Sequence, residues 1–100
     1  MTTYVLNNSI FFPYTNKGKR VRELLDSVIV GKVIQRFRED KGISQEVLSG
    51  LAGIGRTHLS SIERGVRRPT LETFFRIAEA LQTKPSTMLA EIERIVEKNM

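Results

Sequence analysis

Residues 44–65, SQEVLSGLAGIGRTHLSSIERG, constrain the fold more than any other stretch of this chain. Apolar side chains recur at helical spacing over residues 45–52, with small residues beside them, which predicts a helix that another helix crosses closely. Gly53 ends that helix, because glycine adopts the left-handed backbone conformation that redirects a chain within a few residues. A second helix is predicted to begin near Gly55 or Arg56. The stretch therefore has the pattern of two short helices joined by a tight turn.

The second of these helices, which we expect to end at Arg64, has one apolar and one polar face. Leu59 and Ile62 are expected to point inward, and the outward residues are Arg56, Thr57, His58, Ser60 and Ser61. Hydroxyls, a guanidinium and an imidazole can donate to and accept from base edges, so this face suits the major groove of DNA. Most polar helix faces are simply solvated, but the preceding helix and the glycine turn favour DNA binding here.

Helices are also predicted on both sides of this pair. Before it, apolar residues recur at helical spacing, Gly31 interrupts them, and the following helix is expected to end at Lys41 with Gly42 as its cap. After it, Thr70 is expected to cap a helix. Its predicted apolar face comprises Leu71, Phe74, Phe75, Ile77, Ala78 and Leu81.

The motifs of residues 30–90 resemble the phage repressor and Cro-type helix-turn-helix family, also called the xenobiotic response element family. They are REDKG at 38–42, ISQEVL at 43–48, AGI at 52–54, RTHLSSIERG at 56–65, RRPTLETFFRIAEAL at 67–81 and ML at 88–89. Several motifs in one order with fixed spacing make this a specific signal. The resemblance implies an all-α fold, a five-helix repressor-like helix-turn-helix domain with an N-terminal arm or extension. The motif at 56–65 and the basic, proline and threonine residues after it are similar to restriction-modification controller proteins.

The resemblance implies a set of contacts with double-stranded DNA. The positions that match the family's base-reading face are Arg56, Thr57, Ser60 and Ser61, with Arg56 as the candidate for guanine. The expected phosphate contacts are Ser44, Gln45, Gly55, His58, Arg64, Arg67 and Arg68. Ser44 is also a good N-cap for the first helix of the pair. His58 could instead pack against the following loop.

Relatives in this family often carry an ion pair at the positions of Arg38 and Glu63. A partly buried arginine can meet a carboxylate with two hydrogen bonds, which would fix the second helix of the pair on the scaffold. The alternative is two separate surface charges.

Five positions depart from the family pattern. Gly50 and Leu51 stand where relatives usually carry charged, exposed residues, so Leu51 could meet the arm or a partner. The other three lie at helix ends. Gln82 and Lys84 replace the glycine and the hydroxyl residue often found between the last two helices, and Gly55 replaces a capping serine or threonine. We therefore expect weak caps at these helix ends, without an effect on the DNA-facing side.

The last helix, which Pro85 begins, carries an apolar stripe over residues 86–97. The stripe comprises Met88, Leu89, Ile92, Ile95 and Val96. Met88 and Leu89 are expected to complete the core, and the other three would be exposed unless a second subunit covers them. A homodimer would place two DNA-reading helices roughly 34 Å apart and favour a palindromic operator. The alternative cover is the segment 21–29 of the same chain.

The chain is predicted to divide into an N-terminal arm, residues 1–20, and a helix-turn-helix domain, residues 21–97. The arm is rich in aromatic and β-branched side chains and contains Pro13. It could add a strand to a protein partner, cover apolar surface of the domain, or be a partly ordered tail. The arm and the apolar stripe motivate an alternative function, an antitoxin-like protein-binding module that also regulates its own expression through DNA binding.

Composition favours a nucleic-acid partner. The net charge is +5 and the pI about 10.0, and no apolar run approaches the length that spans a bilayer, so DNA is favoured over a membrane. The chain contains no cysteine, its single histidine lacks metal-ligand neighbours, and no catalytic motif is recognisable. We therefore expect a regulator without enzymatic activity, metal or cofactor, located in the cytoplasm at the nucleoid, and no secretory signal peptide.

Overall fold

The computed structural model describes residues 25–99, so the predicted arm lies outside the described residues, as does the beginning of segment 21–29. Over the described range there are five helices and no strand, which confirms the all-α prediction. We number them α1 (Ser27–Asp40), α2 (Gln45–Ala52), α3 (Arg56–Glu63), α4 (Leu71–Ala80) and α5 (Pro85–Lys98).

Gly31 lies inside α1 and does not interrupt the helix, contrary to the sequence-based expectation. Gly31 instead allows α3 to approach α1 closely. A Cβ atom at this position would meet the carbonyl oxygen of Ile62 and would lie 2.6 Å from that of Glu63. The N-terminus of α1 is capped by Asp26, whose carboxylate accepts a hydrogen bond from the Val28 N–H at 2.8 Å. A glycine at position 31 therefore lets the C-terminal end of α3 rest directly on α1.

The core forms where the five helices meet. α1 packs against α3 and α5, α2 packs against α3 and α4, and α4 packs against α5. The largest fully buried side chains are Val33, Ile34, Leu48, Leu59, Ile62, Ile77, Leu81 and Met88. α3 is thus held on its apolar side by α1 and α2, and its polar side is left outside the core.

The apolar stripe of α5 differs from its prediction. Met88 is fully buried and Ile92 is 3% exposed within this single chain, and Ile95 and Val96 pack against the core while remaining partly exposed. Leu89, which was expected to complete the core, is 43% exposed. The reason is that α1 packs against α5 and covers Met88 and Ile92, which leaves these two side chains little surface for a second subunit.

The apolar face of α4 is narrower than predicted. Phe74, Ile77 and Ala78 are buried, whereas Leu71 is 69% exposed and Phe75 is 50% exposed. Leu71 and Phe75 are four residues apart and therefore lie on the same side of the helix. The prediction that these two side chains belong to the core is wrong.

The expected weak helix ends are present. Gln82 has φ +54°, a left-handed conformation that glycine adopts more easily. Lys84, the N-cap of α5, makes no side-chain capping hydrogen bond, and neither does Gly55, the N-cap of α3. By contrast, the hydroxyl of Thr70 accepts a hydrogen bond from the Thr73 N–H at 3.0 Å, as predicted.

Candidate nucleic-acid interface

The turn between α2 and α3 has the geometry that its sequence predicts. The Ser44 hydroxyl caps α2 by accepting a hydrogen bond from the Val47 N–H at 3.1 Å. Gly53 has φ +71° and ends the helix, and the Ile54 N–H donates to the Ser49 carbonyl at 3.0 Å. Ile54 packs against the core. Because the turn is so short, α2 restricts the directions that α3 can take.

The polar face of α3 is accessible. Leu59 and Ile62 are fully buried, whereas Arg56 and Thr57 at the N-terminal end of the helix are exposed. His58, Ser60 and Ser61 are half-buried. The space around Gly55 is open as well, since a Cβ there would have no neighbour within 4 Å among the described residues. A ligand surface could therefore approach the first turn of α3 without displacing any described residue.

Arg64 lies across the C-terminal half of this polar face. Its Nε donates to the Ser60 hydroxyl at 3.4 Å and its Nη2 approaches the Ser61 hydroxyl at 3.5 Å. The sequence analysis assigned Arg64 to the phosphate contacts and both serines to the base contacts, but it did not predict a contact between Arg64 and the serines. Their i,i+3 and i,i+4 spacing could have indicated this contact. Arg64 thus orients two of the hydroxyl groups expected to contact bases.

The loop after α3 gathers positive charge. Arg64, Arg67 and Arg68 are exposed, and the backbone between them is tightly fixed. Gly65 has φ +78°, and the N–H groups of Val66 and Arg67 both donate to the Ser61 carbonyl, at 2.9 and 3.2 Å. Three guanidinium groups thus concentrate positive charge on the surface next to α3.

Arg38 and Glu63 form a nearly buried ion pair. Arg38 Nε and Nη2 donate to the two Glu63 carboxylate oxygens at 2.7 and 3.0 Å, and Nη1 donates to the Ile43 carbonyl at 2.8 Å. The hydrogen bond with Glu63 raises the pKa of the Arg38 guanidinium. This arrangement joins α1, the loop before α2 and the last residue of α3.

Gln45 belongs to the same network, which the sequence did not indicate. Its Nε2 donates to Glu63 Oε1 at 2.9 Å, and the residue is half-buried at the start of α2. The resemblance implied a phosphate contact for Gln45. The side-chain amide has a second N–H that could donate to a phosphate. The polar network therefore ties the N-terminal end of α2 to the C-terminal end of α3.

Other classes of site find no support in the described part of the chain. Among residues 25–99, no three histidine or acidic side chains are grouped so that they could hold a metal ion. No helix in this range is long and apolar enough to cross a membrane.

Comparison with known proteins identifies the family of this fold and site. A family model described as helix-turn-helix matches residues 34–88, more than half of the chain. The chain belongs to the helix-turn-helix family, which confirms the resemblance noted in the sequence.

Individual relatives show which kinds of helix-turn-helix protein this chain is similar to. The chain is 34% identical to the control protein C.SmaI of Serratia marcescens over 61 residues, which cover 61% of this chain and 73% of that protein. It is 42% identical to the uncharacterized HTH-type transcriptional regulator y4dJ of Sinorhizobium fredii over 53 residues, 53% of this chain and 69% of that protein. The crystal structure of the restriction-modification controller protein C.AhdI from Aeromonas hydrophila matches with a TM-score of 0.62 and 35% identity, covering 63% of this chain and 96% of that one.

Proposed function

We propose that this protein is a transcriptional regulator that binds double-stranded DNA by inserting α3 into the major groove. The observation that carries the proposal is the open, polar N-terminal end of α3, held on its apolar side by α1 and α2. Its relatives are named as transcriptional regulators and restriction-modification controller proteins, which supports the same function. An α-helix fits the width of the major groove, where each base pair presents a distinct pattern of donors and acceptors.

In this proposal the exposed side chains at the start of α3 read the sequence. Arg56 donates two hydrogen bonds to one guanine, and Thr57 contacts a neighbouring base edge or a thymine methyl group. Ser60 and Ser61, one turn further along, contact bases through hydroxyls that Arg64 orients. The half-buried His58 contacts the edge of the interface and adds a phosphate contact.

The remaining polar groups position the helix on the DNA backbone. These groups come before and after α3 in the chain: the amide of Gln45 and the backbone at Ser44 and Gly55 precede it, and the guanidinium groups of the loop follow it. The loop contributes Arg64, Arg67 and Arg68. Such contacts carry no sequence information but make affinity fall steeply with salt concentration.

We further propose that the protein binds a palindromic operator as a homodimer, through a surface that shares only Leu89 with the predicted stripe. Two rows of apolar residues flank the junction of α4 and α5, and we call them the α4–α5 seam. They are Leu71 and Phe75 on α4, and Pro85 and Leu89 on α5, with Leu25 at one end. Leu71, Phe75 and Leu89 are large apolar side chains that are exposed to solvent. A partner surface that covered them would therefore be stabilising.

The charges beside the seam fit a second copy of the same chain. Glu72 and Arg76, one turn apart on α4, form an exposed ion pair at 3.0 Å next to Phe75. Two α4 helices that cross in opposite directions about a twofold axis would bring Glu72 of one copy towards Arg76 of the other. The patch is thus complementary to itself, as a twofold interface requires. Met88 and Ile92 of the α5 stripe that motivated the antitoxin-like alternative are covered within the chain, which weakens one of its two supports.

Selection of bound sequences from random duplex DNA at moderate salt tests both parts of the proposal. We expect an enriched inverted repeat whose half-sites are about one helical turn apart. Enrichment of a single half-site would contradict the dimer and leave the DNA-binding function intact. Recovery of unenriched sequence would contradict sequence-specific binding.

A further inference from the structure

The two serines in the second half of α3 use their hydroxyl groups differently from Ser49 in α2. The Ser49 hydroxyl donates to a backbone carbonyl of its own helix at 3.0 Å, so its proton is already engaged. Within residues 25–99, neither Ser60 nor Ser61 donates a hydrogen bond through its side chain, and both accept from Arg64, at 3.4 and 3.5 Å. Both hydroxyl protons therefore remain available on the polar face of α3.

The contact with Arg64 changes what these hydroxyls can bind. A serine hydroxyl has one proton to donate and two lone pairs, so it normally pairs with either a donor or an acceptor. A guanidinium offers only N–H donors, and a hydroxyl that accepts from it directs its own proton towards another acceptor. The positive charge also polarises the hydroxyl and strengthens its donation. Beside Arg64, both serine hydroxyls therefore act as donors.

The backbone around this contact is held by the end of α3. The Arg64 N–H donates to the Ser60 carbonyl at 3.0 Å, and the Ser61 carbonyl accepts from two N–H groups of the following loop. Glu63, the adjacent carboxylate, is nearly buried and is paired with Arg38. Arg64 forms no ion pair with any other described residue. No acidic side chain of the described chain therefore draws its guanidinium away from the serines.

The same guanidinium can bind a DNA phosphate without leaving the serines. It has five N–H groups, of which Nε–H and one on Nη2 contact the two hydroxyls. Its other N–H groups lie on an exposed side chain at the start of the basic loop. The phosphate contact expected of Arg64 and its contact with Ser60 and Ser61 can therefore exist together in a complex.

We propose that Arg64 determines which bases Ser60 and Ser61 select, because it holds both hydroxyls as donors. In the major groove, guanine O6 and thymine O4 accept hydrogen bonds, whereas the amino groups of adenine and cytosine donate them. The serines should therefore select guanine or thymine. Arg64 is a positioning residue for specificity, which distinguishes it from Arg67 and Arg68. This inference rests on the proposed insertion of α3 into the major groove.

Arg64→Met tests the inference, because methionine is long and unbranched and has no donor. Binding is measured to operators with single base-pair changes, and the positions affected by Ser60→Ala or Ser61→Ala identify the bases that the serines contact. There the unmodified chain should prefer guanine or thymine over adenine or cytosine by about fivefold to tenfold, the value of one hydrogen bond. Arg64→Met should reduce this ratio to less than about twofold, in addition to any uniform loss of affinity.

The matched control is Arg67→Met, which removes the same charge from the same exposed loop. It should weaken binding to all operator variants by one common factor and leave the ratio between them unchanged. The same uniform loss for Arg64→Met would overturn the inference. So would base preferences that neither Ser60→Ala nor Ser61→Ala alters.

A measurement on the free protein separates this inference from the proposed function. The Nε–H resonance of Arg64, followed by heteronuclear NMR, should shift in Ser60→Ala and stay in place in Ser86→Ala, which alters an exposed serine on α5. An unchanged resonance in Ser60→Ala would overturn the inference. A shifted resonance in a chain that binds all sequences alike would contradict base reading by α3 itself. A selective chain whose preferences are the same in Arg64→Met would contradict only the role of Arg64.

Discussion

At the scale of single residues, Glu63 links α3 to the rest of the scaffold through hydrogen bonds. Its carboxylate accepts hydrogen bonds from Arg38 on α1 and from Gln45 on α2, so one side chain joins three helices. The resemblance indicated the Arg38 pairing. Nothing local indicated Gln45, because its partner is 18 residues away and the contact exists only once α2 and α3 are packed. Several hydrogen bonds to one nearly buried carboxylate give α3 a single orientation on the scaffold.

Gln82 offers a test of local strain. A left-handed conformation costs a non-glycine residue about 1–2 kcal/mol, and glycine loses part of this advantage through the greater freedom of its unfolded chain. We expect Gln82→Gly to raise the free energy of unfolding by about 0.5–1 kcal/mol, measured by urea denaturation.

The control for this change is Lys32→Gly, at an exposed position inside α1. It should lower the free energy of unfolding by about 1 kcal/mol, because glycine is a poor helix former. A Gln82→Gly protein that is less stable than the unmodified chain would show that the left-handed conformation carries no strain.

At the scale of helices, the sequence predicted where helices occur and how they are capped better than it predicted which side of each helix is buried. The turn at Gly53, the N-caps Ser44 and Thr70 and the inward face of α3 follow from local rules, so they were correct. The sequence could not predict that Ile92 would be buried and Leu89 exposed, which is the reverse of the expectation. Both residues lie in one apolar stripe, and which of them is buried depends on the direction from which α1 crosses α5. The prediction for Gly31 was wrong for the same reason. A glycine in a sequence can either permit close helix packing or end a helix, and only the tertiary structure distinguishes the two.

The α4–α5 seam is testable through Phe75, its largest exposed side chain. Phe75→Glu would place a charge in the centre of the proposed twofold interface and should weaken dimerisation by about 2 kcal/mol or more, roughly thirtyfold in Kd. Sedimentation equilibrium of the purified chain measures this directly.

Val47→Glu serves as the matched control, because Val47 is similarly exposed but lies on α2. It should leave the mass distribution unchanged. If both variants and the unmodified chain have the same association constant, the seam is not where two copies meet.

At the scale of the whole molecule, charge is distributed unevenly about a nearly neutral body. Residues 25–99 carry a net charge of only +2, yet three of their arginines lie in the loop after α3. Acidic residues prevail on the later helices, where α4 and α5 carry Glu72, Glu79, Glu91, Glu93 and Glu97. An anion such as DNA should therefore be attracted more strongly to the loop after α3 than to the surfaces of α4 and α5. Association should be fastest at low salt.

The most direct test of the account compares Arg56→Ala with Arg67→Ala on the selected operator and on random duplex DNA. We expect Arg56→Ala to weaken operator binding by about 1–3 kcal/mol, to relax one operator position and to leave random-duplex binding nearly unchanged. Arg67→Ala should weaken both alike and reduce the salt slope by about 1. Equal losses on operator and random DNA for Arg56→Ala would contradict the claim that α3 reads the bases.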